Sequence, residues 1–476
     1  MLSLLILLPL FIVSLLNLPL RAIMKRLAFW LAAILCFYQM ILVVLHPLVF
    51  WSVTPDPLGP FFAFKLALDP ITLVMLFSIA IVCFVALIVG RYTIIEENSR
   101  FNFINLVLIL LIGMNATVMT TDIFSLYVFM EVTAVASFTL IAKRKDLLAL
   151  EGAFKYIILS SIATVLMLTA VALFILVSGG TTFSAIYGSF SDPANGFLLK
   201  LGVGLFLCGL FIKSGLVPFH GWLPDAYSAA PAAVSTLLAG IVTKVSGVYV
   251  LIRLVISVFE VTAPVQNILM VSGLASIIIG AVAALGQNDI KRMLAYSSIS
   301  QVGYIILALG VASPLALAGA VFHLFNHAIF KSLLFINAAS LEEKLGTSDM
   351  DKMGGLSARM PVTGATSVIA LLSTAGVPPL SGFWSKLIIF IALCNAGHYY
   401  YAAGALLASV ITLAYFLSMQ RRVFFGVLRE GLEQVKEVSA GLIVPQVLLA
   451  AIIIGVGLLF PVILNSFILP IGDLLR

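Results

Sequence analysis

Five ionisable residues lie inside apolar stretches where a charge is costly: Glu131, Lys213, Lys244, Lys331 and Lys386. At bilayer depth such a group costs at least ~2.5 kcal/mol on insertion scales, so its retention points to function. The chemistry that carboxylates and amines support there is proton or ion movement. Lysine suits it, because burial readily changes its protonation, whereas arginine stays charged. Thr120, Thr121 and Asp122 offer an N-cap for a helix on which Glu131 lies nine residues further on. At ~1.5 Å per residue that is roughly 13 Å, near the middle of a ~30 Å hydrocarbon core. Lys213 precedes Pro218, and Lys244 lies thirteen residues past Pro231. Neither has a carboxylate within helical reach in its own segment, so each needs a partner on another helix or must stay neutral. Glu131 is the only acid placed at comparable depth. His323, His327 and Lys331 are spaced by four and form one helical stripe drifting about 40° per step, a candidate proton wire. Lys386, four residues past Gly382, would end at a protein interface or at one mouth of a path. His46, His220 and His398 lie near segment ends, where interfacial or capping roles are expected. Asp225, Asp289, Lys291 and Arg292 also lie at segment ends and are expected to be solvated or to set topology and not to be part of the path.

The elements that must hold these residues are membrane helices. With 62% apolar and 10% charged residues and mean hydropathy +1.20, the chain is outside the range of soluble globular domains. Apolar runs long enough to span a bilayer recur at about 1–20, 28–50, 69–90, 103–120, 122–142, 155–178, 198–225, 232–257, 265–286, 293–312, 315–341, 363–395, 402–425 and 441–468. Under that assignment eighteen lysines and arginines fall on one side, counting Lys155 as it enters the sixth segment. The other side holds only Lys65, Lys200, Arg253 and Arg476, and the four intramembrane lysines complete the twenty-six. The asymmetry places both termini outside the cytoplasm. The net charge of +6 therefore implies anionic headgroups as neighbours and no nucleic acid. The first apolar run lacks a positive leading region and is expected to remain as an uncleaved helix. Cys36, Cys83, Cys208 and Cys394 are far apart, so they suggest packing and neither disulfides nor a metal site.

No linker divides the chain, so residues 1–476 are expected to form one all-helical membrane domain. An internal echo runs through it. Gly215-Leu-Val-Pro218-Phe-His-Gly221-Trp222 and Gly376-Val-Pro-Pro379-Leu-Ser-Gly382-Phe383 share the pattern G-x-x-P-x-x-G-aromatic. The copies fall in the seventh and twelfth segments. An odd offset of five crossings gives the two halves opposite orientation, as an inverted repeat requires. Proline removes an amide donor and glycine loosens the helix, so both segments should be broken, which a membrane tolerates where the freed backbone lines a polar cavity. Interrupted helices in corresponding positions of two halves point to a transport site.

Four strings resemble a known family: Asp122-Ile-Phe-Ser-Leu-Tyr-Val-Phe-Met-Glu131, Lys213-Ser-Gly-Leu-Val-Pro-Phe-His-Gly-Trp-Leu-Pro-Asp-Ala226, Lys291-Arg-Met-Leu-Ala-Tyr-Ser-Ser-Ile-Ser-Gln-Val-Gly-Tyr304 and His323-Leu-Phe-Asn-His-Ala-Ile-Phe-Lys331. They are similar to the antiporter-like subunits shared by respiratory complex I, the membrane-bound energy-converting hydrogenases and the multisubunit Mrp Na+/H+ antiporters. The resemblance covers nearly the whole chain. It implies about fourteen transmembrane helices with two inverted five-helix repeats, here 103–257 and 265–425, and broken helices seven and twelve. It also implies that Glu131, Lys213, Lys244, the stripe of His323, His327 and Lys331, and Lys386 occupy the family's relay positions. At the helix-twelve position one complex I subunit type carries Glu, whereas Lys386 resembles the other complex I types, the Mrp D-type subunit and the hydrogenase subunits. A compact D-, M- or N-like subunit without the long lateral helix of the largest members is expected.

The mechanism so implied is a chain of protonatable groups near the midplane, linked by water and driven by a neighbouring subunit. The leading expectation is a proton-translocating subunit of a redox-driven complex in the cytoplasmic (inner) membrane. The chain itself carries no Cys cluster, dinucleotide fingerprint or haem motif. No cofactor is expected in this chain, and Fe–S clusters, with flavin or Ni–Fe centres, would belong to partner subunits. The expected partners are other membrane subunits, further antiporter-like subunits among them. A second reading is an Mrp-type Na+/H+ antiporter subunit without redox chemistry. A third is a passive scaffold whose buried charges are locked salt bridges.

Overall fold

In the computed structural model, residues 3–18, 21–49, 56–57, 65–192, 196–259 and 261–475 are described. The ends of the first expected segment, the side chain of His46 and the C-terminal Arg476 lie outside the described residues. The helices are α1 (Leu4–Leu16), α2 (Arg21–Val49), α3 (Pro70–Thr93), α4 (Glu97–Met119), α5 (Ile123–Ile141), α6 (Leu147–Ser178), α7 (Phe183–Ser189), α8 (Gly196–Ser214) and α9 (Trp222–Ala229). They continue as α10 (Ala232–Ser257), α11 (Ala263–Leu285), α12 (Ile290–Val311), α13 (Pro314–Leu345), α14 (Pro361–Ala375), α15 (Ser381–Asn395), α16 (Tyr399–Val423), α17 (Ala440–Leu458) and α18 (Phe460–Gly472). The described strands are the two-residue pair Asp56–Pro57 and Lys65–Leu66.

Twelve helices among the described residues are individually long and apolar enough to cross a membrane. The first and twelfth expected segments complete the set as the shorter α1 and the split pair α14 and α15. Both echo segments break where glycine and proline predicted. α8 stops at Ser214 and α14 at Ala375, and the next residues, Gly215 and Gly376, take φ of 65° and 85°, a conformation that glycine adopts without a Cβ clash. The sixth segment differs from its predicted start. α6 begins eight residues earlier, capped by Asp146, whose side chain accepts from Ala149 N. Lys155 lies two turns inside it and pairs with Glu151 at 2.7 Å. Those charges hid the first turns from a hydropathy reading. α6 otherwise turns Phe154, Ile158, Ile162, Val165 and Leu176 outward, the surface that lipid or an apolar partner must cover.

The chain forms two compact units. The first comprises 1–87, 94–215 and 241–262, in which α4, α5, α6 and α8 pack as successive neighbours. The second comprises 88–93, 216–240 and 263–476, with α11 against α12 and the long α13 at its centre. Every side chain of α13 from Ala316 to Leu341 except Phe325 is buried, so its polar residues are placed for other protein groups and not for lipid.

Candidate functional site

In the first unit, the expected cap forms: the Asp122 carboxylate accepts from Ser125 N at 2.7 Å and fixes where α5 begins. Glu131 then falls two and a half turns into α5, facing α6 and α8. Lys213, in the last turn of α8, donates from Nζ to Glu131 Oε1 at 2.7 Å and to Ser160 Oγ at 2.7 Å. The Thr164 hydroxyl donates to the same carboxylate oxygen at 2.8 Å. Such charge-assisted bonds are about twice as strong as neutral ones. The partners are unequally buried. The Lys213 side chain is 1% exposed and that of Glu131 27%. Glu131 opens onto a groove of about 460 Å³ between α4 and α5, whose walls include Leu106, Ile109, Val128 and Val135.

Lys244 is fully buried in the same unit, at the start of a π-helical stretch, Lys244–Tyr249, within α10. This stretch packs on α8 through Gly247, where a Cβ would lie 2.4 Å from Ser214 Oγ and 2.7 Å from Ser214 Cα. Only glycine lets the two backbones approach this closely. A further network closes the end of α10. Arg253 grips the Asp69 carboxylate, donating to Oδ1 at 3.1 Å, and also donates to Thr72 Oγ1 at 2.8 Å. Tyr249 Oη in turn donates to Val118 O at 2.6 Å. Arg253, read from sequence as a loop charge on the sparsely charged side, is therefore an anchored helix residue.

In the second unit, the stripe on α13 stands as its spacing required. His323 and His327 stack with ring centroids 6.4 Å apart. His323 Nδ1 shares a hydrogen bond with Ser385 Oγ at 2.9 Å, whereas its Nε2 meets no hydrogen-bonding group among the described residues. Lys331 donates to Leu294 O at 3.0 Å and Ser297 Oγ at 2.7 Å, both on α12. Lys386, from the second half of the broken segment, reaches back to the end of the first half. It donates to Thr374 O at 2.8 Å and to Ser409 Oγ at 3.1 Å. A cation there offsets the orphan carbonyls and the negative end of α14. Its Nζ also lies 4.6 Å from the centroid of the Tyr304 ring, and that ring is 5.9 Å from His323. Tyr304 thus joins Lys386 to the stripe, a role its place in the motif did not disclose.

Two expectations, one for a segment end and one for a cysteine, are corrected. Lys291 is 2% exposed and is not solvated: it donates to Ala230 O at 2.9 Å and to Glu342 Oε2 at 3.2 Å. Cys394 is exposed, so it is not a packing residue, unlike the buried Cys36 and Cys83. Sequence reasoning missed Ser160, Thr164 and Glu342 because small hydroxyls and a loop-adjacent acid carry no signal until their neighbours are known. Among the described residues no three His, Cys, Asp or Glu side chains are grouped to hold a metal ion.

The family described as NADH:quinone oxidoreductase/Mrp antiporter, transmembrane, matches residues 120–412. The chain belongs to this family. The antiporter-like subunit is 33% identical over 398 residues to the D-type subunit of the Na(+)/H(+) antiporter of Alkalihalophilus pseudofirmus, covering 83% of this chain and 80% of that protein. It is 35% identical over 372 residues to the N-type subunit of the NADH-quinone oxidoreductase of Desulforudis audaxviator, covering 76% of this chain and 72% of its relative. A solved chain of the membrane-bound sulfane sulfur reductase, an archaeal respiratory membrane complex, superposes with a TM-score of 0.90 at 28% identity, covering 100% of this chain and 97% of that one. The antiporter-like subunit is an integral membrane protein whose structural neighbours are subunits of multisubunit membrane complexes.

Proposed function

We propose that this antiporter-like subunit translocates protons as part of a redox-driven complex in the cytoplasmic membrane, with both termini on the non-cytoplasmic side. One observation carries the reading: the 2.7 Å contact between Glu131 and the buried Lys213. In contact, the carboxylate favours the ammonium form. When the two separate, the desolvated ammonium has no counter-charge and the neutral amine is favoured, so a proton is free to move on. Lys244, then His327 with His323 and Lys331, then Lys386 are the stations that would receive it. Ser160 and Thr164 position the first pair. The inverted repeats 103–257 and 265–425 would supply the same device twice. Fe–S clusters, with flavin or Ni–Fe centres, would lie in partner subunits, and further antiporter-like subunits would sit beside this one.

A second reading, a subunit of an Na+/H+ exchanging complex without redox chemistry, is favoured by the 33% identity to an antiporter's D-type subunit over 83% of this chain. Purifying the complex from its native membrane and recording its absorption spectrum and metal content separates the two. Iron–sulfur or nickel signals support the redox-driven pump. Their absence from an intact complex that exchanges Na+ for H+ replaces it with the antiporter.

A further inference from the structure

Lys291 opens α12 at the edge of the bilayer, on the side that carries most of the basic residues, yet its side chain is as thoroughly buried as those of the intramembrane lysines. Its ammonium faces the Glu342 carboxylate near the end of α13 and the carbonyl of Ala230, which caps α9. Arg292, the next residue, pairs with Asp225 at 2.8 Å and ties the same end of α12 to α9 from the more exposed side. The burial of the two partners repeats that of the Glu131–Lys213 pair. Lys291 is 2% and Glu342 25% exposed, against 1% for Lys213 and 27% for Glu131. In both, a lysine enclosed by protein meets a glutamate that is open on one side. The helix beneath also leads to a buried station. Lys331 donates to Leu294 O and Ser297 Oγ, three and six residues further along α12 than Lys291, about 4.5 and 9 Å along its axis.

We infer that Lys291 and Glu342 form a second proton-handling pair, which passes protons between the basic-loop side of the membrane and Lys331. This rests on the proposed translocation. Glu342 takes a proton on its open side. The O–H bond breaks as an N–H bond forms on the neutral Lys291 amine, which restores the carboxylate beside an ammonium. Lys291 then returns to the amine as its N–H bond breaks and one forms on the neutral Lys331 amine, which Leu294 O and Ser297 Oγ hold within two turns of Lys291 along α12. The reverse sequence releases protons on the same side. A static tie between α12 and α13 would be served as well by arginine, which does not release a proton, or by two neutral side chains.

The test compares three variants in the complete complex reconstituted into proteoliposomes, with proton movement read by an internal pH-sensitive dye: Lys291→Arg, the double variant Lys291→Met with Glu342→Gln, and Glu131→Gln. Removing both members of a buried pair is commonly tolerated structurally, so the double variant should assemble. The expected result is loss of most translocation in the double variant and in Lys291→Arg at normal complex abundance. Translocation at the unmutated rate in either one overturns the inference. Should neither assemble, carbodiimide labelling of Glu342 in the unmutated complex decides: labelling that changes between resting and working complex supports the pair, and equal labelling overturns it. Glu131→Gln reports on the foundation separately. Normal pumping by that variant removes the proposed translocation through the first pair, whatever the second pair does.

Discussion

A buried lysine bound to a glutamate has two explanations that the same geometry satisfies, a locked ion pair and a proton carrier. They differ in whether the nitrogen must ever lose its proton. Lys213→Arg separates them, because a guanidinium can hold the Glu131 carboxylate through two bonds but stays protonated at any working pH. A complex with Lys213→Arg is expected to assemble and to lose coupled proton movement in proteoliposomes. Normal pumping by that variant would make the contact a tie. Truncation is less informative, since leaving one member of a buried pair alone costs about 3–5 kcal/mol and unsettles the fold as well as the path. Glu131, Lys213 and Lys244 were legible in the sequence because a charge inside an apolar run is conspicuous. Lys291 was not, because a charge beside a polar loop looks ordinary until Ala230 and Glu342 are brought against it by distant parts of the chain.

At the scale of elements, the breaks and the π-helical stretch determine which backbone atoms meet the lysines. The broken helices were readable from Gly215, Pro218, Gly376 and Pro379. The π-helical segments Leu238–Val242 and Lys244–Tyr249 were not, since the hydropathy of α10 is unchanged by one extra residue per turn. Gly247 marks the consequence. A methyl group there would collide with the backbone of Ser214, next to Lys213, and force α8 away from the stretch that carries Lys244. Gly247→Ala is expected to cost about 1–3 kcal/mol, the range for overpacking, and to lower the thermal unfolding midpoint of the purified complex. Gly455→Ala, whose added Cβ meets nothing within 4 Å, is the control and should leave the midpoint unchanged or slightly raised. Equal midpoints for the two variants would show that α8 yields freely and that the close approach does not position the lysines.

For the molecule as a whole, the asymmetry of basic residues is an expectation of which side of the membrane each loop lies on, and the direction of proton movement has meaning only against that assignment. Hydropathy located the twelve helices that, among the described residues, are long and apolar enough to cross a bilayer, and also the shorter α1 and the split pair α14 and α15, because length and apolar content decide whether a helix can cross. It misplaced the start of α6, where Glu151 and Lys155 pair on an exposed face, and it counted Arg253 with the loops although Asp69 anchors it. Neither error alters the odd-even alternation, so the sidedness rests on the loops themselves. Ser191, between α7 and α8, and Glu430, between α16 and α17, are both exposed and are expected on opposite sides. With Cys208 and Cys394 replaced by serine, the native cysteines that remain, Cys36 and Cys83, are buried. A membrane-impermeant maleimide should then label Glu430→Cys in inverted vesicles and Ser191→Cys in right-side-out vesicles. The opposite pattern would turn the whole chain over. The pair at Lys291 and Glu342 would then face the exterior, and the proton it handles would be one being released to the outside or taken up from it.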